Sequence, residues 1–292
     1  MRTGRASKTA EHNALFRALE ARRPPADRVC DDRLAVAFLS WPTFLVAQAA
    51  RIDAVRDRVV RFIDGRWPGV RPTVVARTRL IDDTLAAKAG DAAQVVVLGA
   101  GFDTRAHRLA CLADVPVFEV DHPDTQVRKR KILDRRHITR PRMHYVPIDF
   151  SDGELGAALA ASGWSPDVPT LILWEGVTNY LSEPEVDATL RWCAKAPAGS
   201  RLIVTYVDRA LFTDPGRYAG SEQLRSTLRR AGEEMTFGLD PDEAPAYLAE
   251  RGLTLRWDVG AREFRQRYYG DAARSMSGHD FYRVAYARVG GG

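Results

Sequence analysis

The chain has 292 residues, enough for one large domain or two small ones, with 45% hydrophobic and 28% charged residues, the composition of a globular protein. Lys and Arg outnumber Asp and Glu by 43 to 38, a net charge of +5 that favours solubility and an anionic ligand but is too mild to indicate nucleic acid. The three cysteines, Cys30, Cys111 and Cys193, are isolated and lack CxxC spacing, which excludes a disulfide framework and a zinc cluster and suits a reducing cytoplasm.

The polar start, MRTGRASKTAEHNALFRALE, lacks the apolar core of a signal peptide. The first 75 residues place Ala, Leu and Arg at helical spacings, with breaks at RRPP and WPG. Within them LAVAFLSWPTFLVAQAA, Leu34 to Ala50, is nearly uncharged. A membrane span needs about 20 apolar residues. This run is shorter and carries Ser40, Pro42, Thr43 and Gln48, so it reads first as a buried or cap helix and second as an apolar partner surface.

From there strands and helices alternate. The pattern predicts helices at 75–88, 104–112, 125–136 and 154–161, and strands at 94–98, 117–120, 144–148 and 170–174. Ser182 followed three residues later by Glu185 predicts a capping box opening the next helix, and a strand follows at 201–207. Residues 208–250 are polar, with Pro and Gly punctuation, and read as an insertion over the sheet edge. Strands near 253–257 and 281–287 complete the chain. The expected fold class is α/β: a class I, Rossmann-like, mostly parallel sheet with an antiparallel last strand. One domain is expected over 1–292: a helical cap at 1–75, a core at 76–207, a lid at 208–250 and C-terminal strands at 251–292.

Parallel sheets bind ligands beyond the carboxyl ends of their strands, where strand order reverses. The first strand runs into Gly99-Ala-Gly101-Phe-Asp103-Thr104-Arg105. A dinucleotide fingerprint, GxGxxG, would need glycine where Thr104 stands. Gly99 and Gly101 still allow a ligand close to the backbone. The second strand ends at Asp121, 20 residues past Gly101, where an acid can hydrogen-bond the ribose of any adenosine ligand or cap a helix before Pro123. The third ends at Asp149 and Phe150, suited to an adenine or to another cap. The fourth ends at Glu175 after an apolar run; it must meet a cation, either a cationic cofactor or an arginine. Together these ends describe an adenosine site with an added acid.

The stretches ARTRLIDD (Ala76–Asp83), VVVLGAGFDTRAHRL (Val95–Leu109), FEVDHPDTQVRKRKIL (Phe118–Leu133), PIDFSD (Pro147–Asp152), LWEGVTNYLSEPEVDATL (Leu173–Leu190) and FTDPGR (Phe212–Arg217) resemble, in order, the leucine carboxyl methyltransferase family of S-adenosylmethionine-dependent methyltransferases. LGAG-DTR with FEVD is the specific part. The resemblance implies S-adenosyl-L-methionine as cofactor and an oxygen acceptor, carboxylate before hydroxyl. It places Gly99 and Gly101 at the amino acid portion, Asp121 at the ribose, Asp149 and Phe150 at the adenine, and Glu175 near the methionine moiety. Arg77 is the best match for the arginine pairing the cofactor carboxylate, with Arg79 second and Lys8 a further basic candidate. Phe150 stands where the family usually has Leu.

None of the six histidines sits in a triad or metal spacing, so no metal and no named base are expected. Tyr180, Tyr206, Asp208, Tyr268 and Tyr269 are candidates for an acceptor pocket. The basic run Val127–Arg142 reads as a solvated helix face without interleaved aromatic residues, not as a nucleic-acid surface. Any pairing of copies is expected through the N-terminal helices. The expected partner is a small-molecule acceptor, with neither nucleic acid nor membrane. The alternatives are an NAD(P)-dependent oxidoreductase and a non-catalytic S-adenosylmethionine-binding protein.

Overall fold

The computed structural model describes residues 8–149, 155–214 and 216–290. Four helices come first: α1 Lys8–Glu20, α2 Trp41–Ala49, α3 Asp53–Arg66 and α4 Val70–Lys88. The run at 34–50 is not one helix. A 3-10 turn at Ala35–Phe38 buries Ala35 and Phe38, Ser40 turns extended, and α2 starts with Pro42 in its first turn. Trp41 is 71% exposed, so the cap reading holds for the first half and an open apolar face for the second.

The core then alternates as expected. It contains β1 Gln94–Leu98, α5 Arg105–Arg108, β2 Val117–Asp121, α6 Pro123–Asp134, β3 Met143–Pro147, α7 Leu155–Ala161, β4 Thr170–Trp174, α8 Glu183–Ala194 and β5 Arg201–Val207. Three short helices, α9 Ala210–Thr213, α10 Ser221–Ala231 and α11 Ala244–Ala249, cross the inserted region; β6 Leu253–Gly260, α12 Ala261–Tyr269 and β7 Tyr282–Val289 close the fold. Several boundaries differ from the periodicity, two of them near the site. Helix α4 starts five residues early, because Gly69, at φ 75, ends the WPG break itself. The helix expected over 104–112 stops after Arg108, where Leu109 turns extended, and a 3-10 turn follows at Ala110–Leu112. The capping box forms: Glu185 Oε2 accepts from the Ser182 N–H at 2.6 Å.

The seven strands run in the order β3-β2-β1-β4-β5-β7-β6, with β1 to β5 parallel and β7 antiparallel to β5. This is the mostly parallel sheet that was expected, with its last strand pairing antiparallel. Its order reverses between β1 and β4. Both strands are buried along their whole length, which is why they read as unbroken apolar runs. Alternate residues serve opposite layers: Val96, Leu98, Ile172 and Trp174 pack on one face, Val95, Val97, Leu171 and Leu173 on the other. A separate cluster ties α1 to α3 and α4 through Phe16, Leu19, Ile63 and Val75. No helix among the described residues is long and apolar enough to cross a membrane.

The basic run is a solvated face at Arg130, Lys131, Arg135 and Arg136, all exposed, with Lys129 of α6 as the exception. Lys129 is 1% exposed and its Nζ donates to Glu119 Oε2 at 2.6 Å, while Thr125, Gln126 and Leu133 are buried beside it. Every fourth residue of this helix faces β2 whatever its charge, and the buried lysine is tolerated because β2 supplies a carboxylate.

Candidate functional site

Strand register assembles the site. Leu98 pairs with Val120 on one side and Trp174 on the other, so Gly99, Asp121 and Glu175 follow adjacent strand ends. Asp121 pairs with Pro147, which puts Asp149 just beyond the neighbouring strand. Asp149 is exposed, and Phe150 lies outside the described residues.

The loop after β1 is held by Asp121. Its Oδ2 accepts from the Gly101 N–H, and its Oδ1 accepts from the His122 N–H at 2.6 Å. Asp121 is therefore not the helix cap that the Pro123 spacing allowed. His122 is, with Nδ1 accepting from the Asp124 N–H at 3.2 Å. Burial pushes the Asp121 carboxyl above the usual carboxylate range, against the pull of the two N–H donors. Gly99 has φ 65, and a Cβ there would lie 2.3 Å from Val177 Cγ2. Gly101 and Gly176 also have positive φ, but a Cβ at Gly176 would meet nothing within 4 Å and one at Gly101 only the Gly99 carbonyl at 3.9 Å. Space is therefore open beside both, as a ligand lying along these strand ends requires. Those openings, the acid at the end of β2 and the cations next to Glu175 fit the zwitterionic adenosine compound that the sequence implied.

Glu175 meets arginine. Arg77 Nε donates to Oε1 at 2.8 Å and Arg105 Nη1 to Oε2 at 2.6 Å. Burial opposes the charge on Glu175, but Arg105 and Arg77 outweigh it and hold its carboxyl below the usual range. Arg105 was not singled out in the sequence, although it closes the DTR motif. It also pairs with Asp103 and, at 2.7 Å, with Asp82 of α4. Arg108 pairs with Asp82 at 2.7 Å, and Asp32 accepts from Thr104 Oγ1 at 2.7 Å and Arg17 Nε at 2.8 Å. A motif arginine four residues past a glycine, with carboxylates waiting on three elements, is the signal that could have found it. Thr104, in the place of a third fingerprint glycine, thus ties the loop to the N-terminal cap. Arg79, the second choice for the cofactor carboxylate, is exposed and pairs with Asp83 at 2.7 Å. The side chain of Lys8 lies outside the described residues.

A cavity of about 510 Å³ opens beside this edge. Its walls come from α1 to α4 and from Leu224, Thr227 and Leu228 of α10, and Arg77 is part of its floor. The rim is exposed, with Phe62 at 70% and Val46 at 37%; the floor is buried, with Arg77 at 4% and Tyr282 at 5%. Of the five pocket candidates, Tyr180 alone lines it. Tyr206 hydrogen-bonds Asp258, Asp208 accepts from Tyr218 Oη at 2.5 Å, Tyr268 donates to Asp83 at 2.9 Å, and Tyr269 packs in the N-terminal cluster. His12 and His279 line the cavity and had not been distinguished from the other histidines. No group of three or more metal-ligating side chains occurs among the described residues.

A family model described as leucine carboxyl methyltransferase matches residues 10–194. A Streptomyces coelicolor protein is 30% identical over 281 residues, covering 93% of this chain and 90% of its own. A Frankia alni protein is 40% identical over 255 residues, covering 86% and 78%. Both are provisionally named S-adenosyl-L-methionine-dependent methyltransferases. The crystal structure of a Thermobifida fusca protein, provisionally named a methyltransferase, superposes with a TM-score of 0.58 at 15% identity, covering 94% of each chain.

Proposed function

The chain belongs to the leucine carboxyl methyltransferase family and is an S-adenosylmethionine-dependent methyltransferase; on that footing we propose that it methylates a carboxylate or hydroxyl oxygen of a small molecule held in the 510 Å³ cavity. The observation that carries this reading is the double position of Arg77. It pairs with Glu175 at the end of β4 and also forms part of the cavity floor, so the cofactor edge and the cavity share one side chain.

The residues divide the work. Asp121, pinned by the Gly101 and His122 N–H groups, presents a fixed acceptor to the ribose hydroxyls. Gly99 and Gly101 admit the amino acid portion, Arg77 its carboxylate and Glu175 its ammonium. Asp149 and Phe150 serve the adenine. Residues 208–250 act as the lid, because Leu224, Thr227 and Leu228 close one wall of the cavity. When bound, S-adenosylmethionine supplies a methyl group already activated by its sulfonium. What remains for the chain is alignment and exclusion of water. A carboxylate acceptor needs no base; a hydroxyl needs a nearby group to take its proton.

Calorimetric titration with S-adenosylhomocysteine tests the cofactor half. Saturable binding at micromolar concentrations is expected, and no heat up to millimolar ligand would refute it. Methyl transfer from labelled S-adenosylmethionine, scored across small carboxylic acids and phenols, tests the acceptor half. Transfer to nitrogen acceptors alone would refute it.

A further inference from the structure

The floor of the cavity offers neutral partners. His279, in the turn before β7, is 7% exposed and lines the cavity; its ring stacks on Tyr282 at 5.0 Å and meets Phe281 edge-on at 4.5 Å. Its buried Nδ1 has no hydrogen-bond partner. Its backbone has φ 56, a left-handed conformation that costs energy in a residue with a side chain. A strained backbone and an unsatisfied buried polar atom are both expensive, and they coincide at the one wall that Arg77 also forms.

The floor's cation is engaged. Arg77 donates Nε to Glu175 at 2.8 Å and its guanidinium lies 5.0 Å over the Tyr282 ring. The other arginine of the lining, Arg58, sits at the exposed rim, and no carboxylate lines the cavity among the described residues. Phe16, Trp67 and Met235 give the interior an apolar, partly aromatic wall.

We propose that the cavity takes an aromatic molecule carrying an uncharged hydroxyl, and that His279 is the side chain that receives that hydroxyl. This rests on the methyltransferase reading above and decides between its two acceptor groups: as the O–CH3 bond forms, the hydroxyl proton passes to the accepting nitrogen of His279 and on to water at the open rim. Burial, with Arg77 and Arg265 nearby, pushes the His279 imidazole down to about 3, so it is neutral at working pH and offers one accepting and one donating nitrogen. A phenolic hydroxyl gains a hydrogen bond there. A carboxylate would lose its hydration to a floor without an uncommitted cation. The volume suits a molecule of two or three fused rings, at the smaller end of pockets that enclose small ligands.

The test uses the full chain saturated with S-adenosylhomocysteine and titrated with 2-naphthol and 2-naphthoate, which share a ring system and differ in the acceptor group. Naphthol is expected to bind at least tenfold more tightly than naphthoate. His279→Gly suits the left-handed backbone and should weaken naphthol at least tenfold while leaving S-adenosylhomocysteine affinity unchanged. His279→Asn, which tolerates the same backbone and keeps a hydrogen-bonding group, should recover part of the loss. Tighter binding of naphthoate, binding of neither probe, or a His279→Gly variant that holds naphthol as the parent does would each overturn the proposal. Failure to bind S-adenosylhomocysteine in the first place would instead overturn the cofactor reading on which it rests.

Discussion

The two sides of Arg77 are built on opposite principles. Toward the strand ends, charge is matched group by group: Arg105 pairs with Asp82, Asp103 and Glu175, Arg108 shares Asp82, Arg77 shares Glu175, and Asp32 is held by Arg17 and Thr104. Toward the cavity the walls are apolar, charge is confined to the floor and the rim, and a neutral imidazole stands among the lining side chains. The first side is a frame of matched charges. The second is shaped by packing between elements far apart in sequence.

The contrast is sharpest in stability. Arg105→Ala would strip Asp103 of its arginine and leave Asp82 to Arg108 and Glu175 to Arg77, each with half its charge matching gone, and should cost ~3–5 kcal/mol, read from the urea midpoint. A loss under 1 kcal/mol would show that the frame does not depend on matched charge. The same frame sets the acid limit. Burial opposes ionisation of Glu175 and Asp103, but the neighbouring cations hold both carboxyls below their ordinary range. The stability they contribute is therefore in place above the unfolded carboxylate value of about 4 and is lost only as pH falls through their lower folded values, which acid titration of the melting temperature would follow.

Ligand binding separates the sides next. Asp121→Ala should weaken S-adenosylhomocysteine ~100-fold, the scale of two hydrogen bonds to a charged group, and leave naphthol binding within about threefold in calorimetry. Acidification should do the same more gently. Burial raises the Asp121 carboxyl, so the accepting carboxylate is lost as pH falls through a value above the ordinary aspartate range, and nucleoside affinity declines there. The neutral His279 gives the cavity no matching change between pH 5 and 8, a contrast that parallel titrations would break if naphthol binding followed the same curve. The smallest effect belongs to the rim. Phe62 is 70% exposed, so Phe62→Ala should shift stability by less than about 0.5 kcal/mol, leave S-adenosylhomocysteine untouched and weaken naphthol only a few-fold.

The sides were also unequally legible. The GxG loop, Asp121 and Glu175 stand directly after strands whose apolar runs mark their ends, so chain position alone brings them to one edge. The arginines on Glu175 were less visible. Arg77 was expected beside the cofactor, yet its fixed partner is Glu175, and Arg105 stood unremarked in its own motif because the acids it meets lie 2, 23 and 70 residues away. Lys129 looked like one more solvated cation until the face of α6 against β2 showed it buried. Tyr206 and Tyr268 were plausible pocket residues by type, but their hydroxyls are engaged by Asp258 and Asp83.

By itself the sequence determined the alternation of strands and helices, the parallel sheet and which residues stand at its carboxyl edge. Periodicity and glycine placement are local properties, and register converts them into neighbours. Tertiary structure alone decided the cavity. Its lining gathers residues from Thr9 to Tyr282, and which of them face inward depends on how the N-terminal helices, α10 and the turn before β7 pack together. The left-handed backbone and unpaired nitrogen of His279 belong to that packing and to no motif.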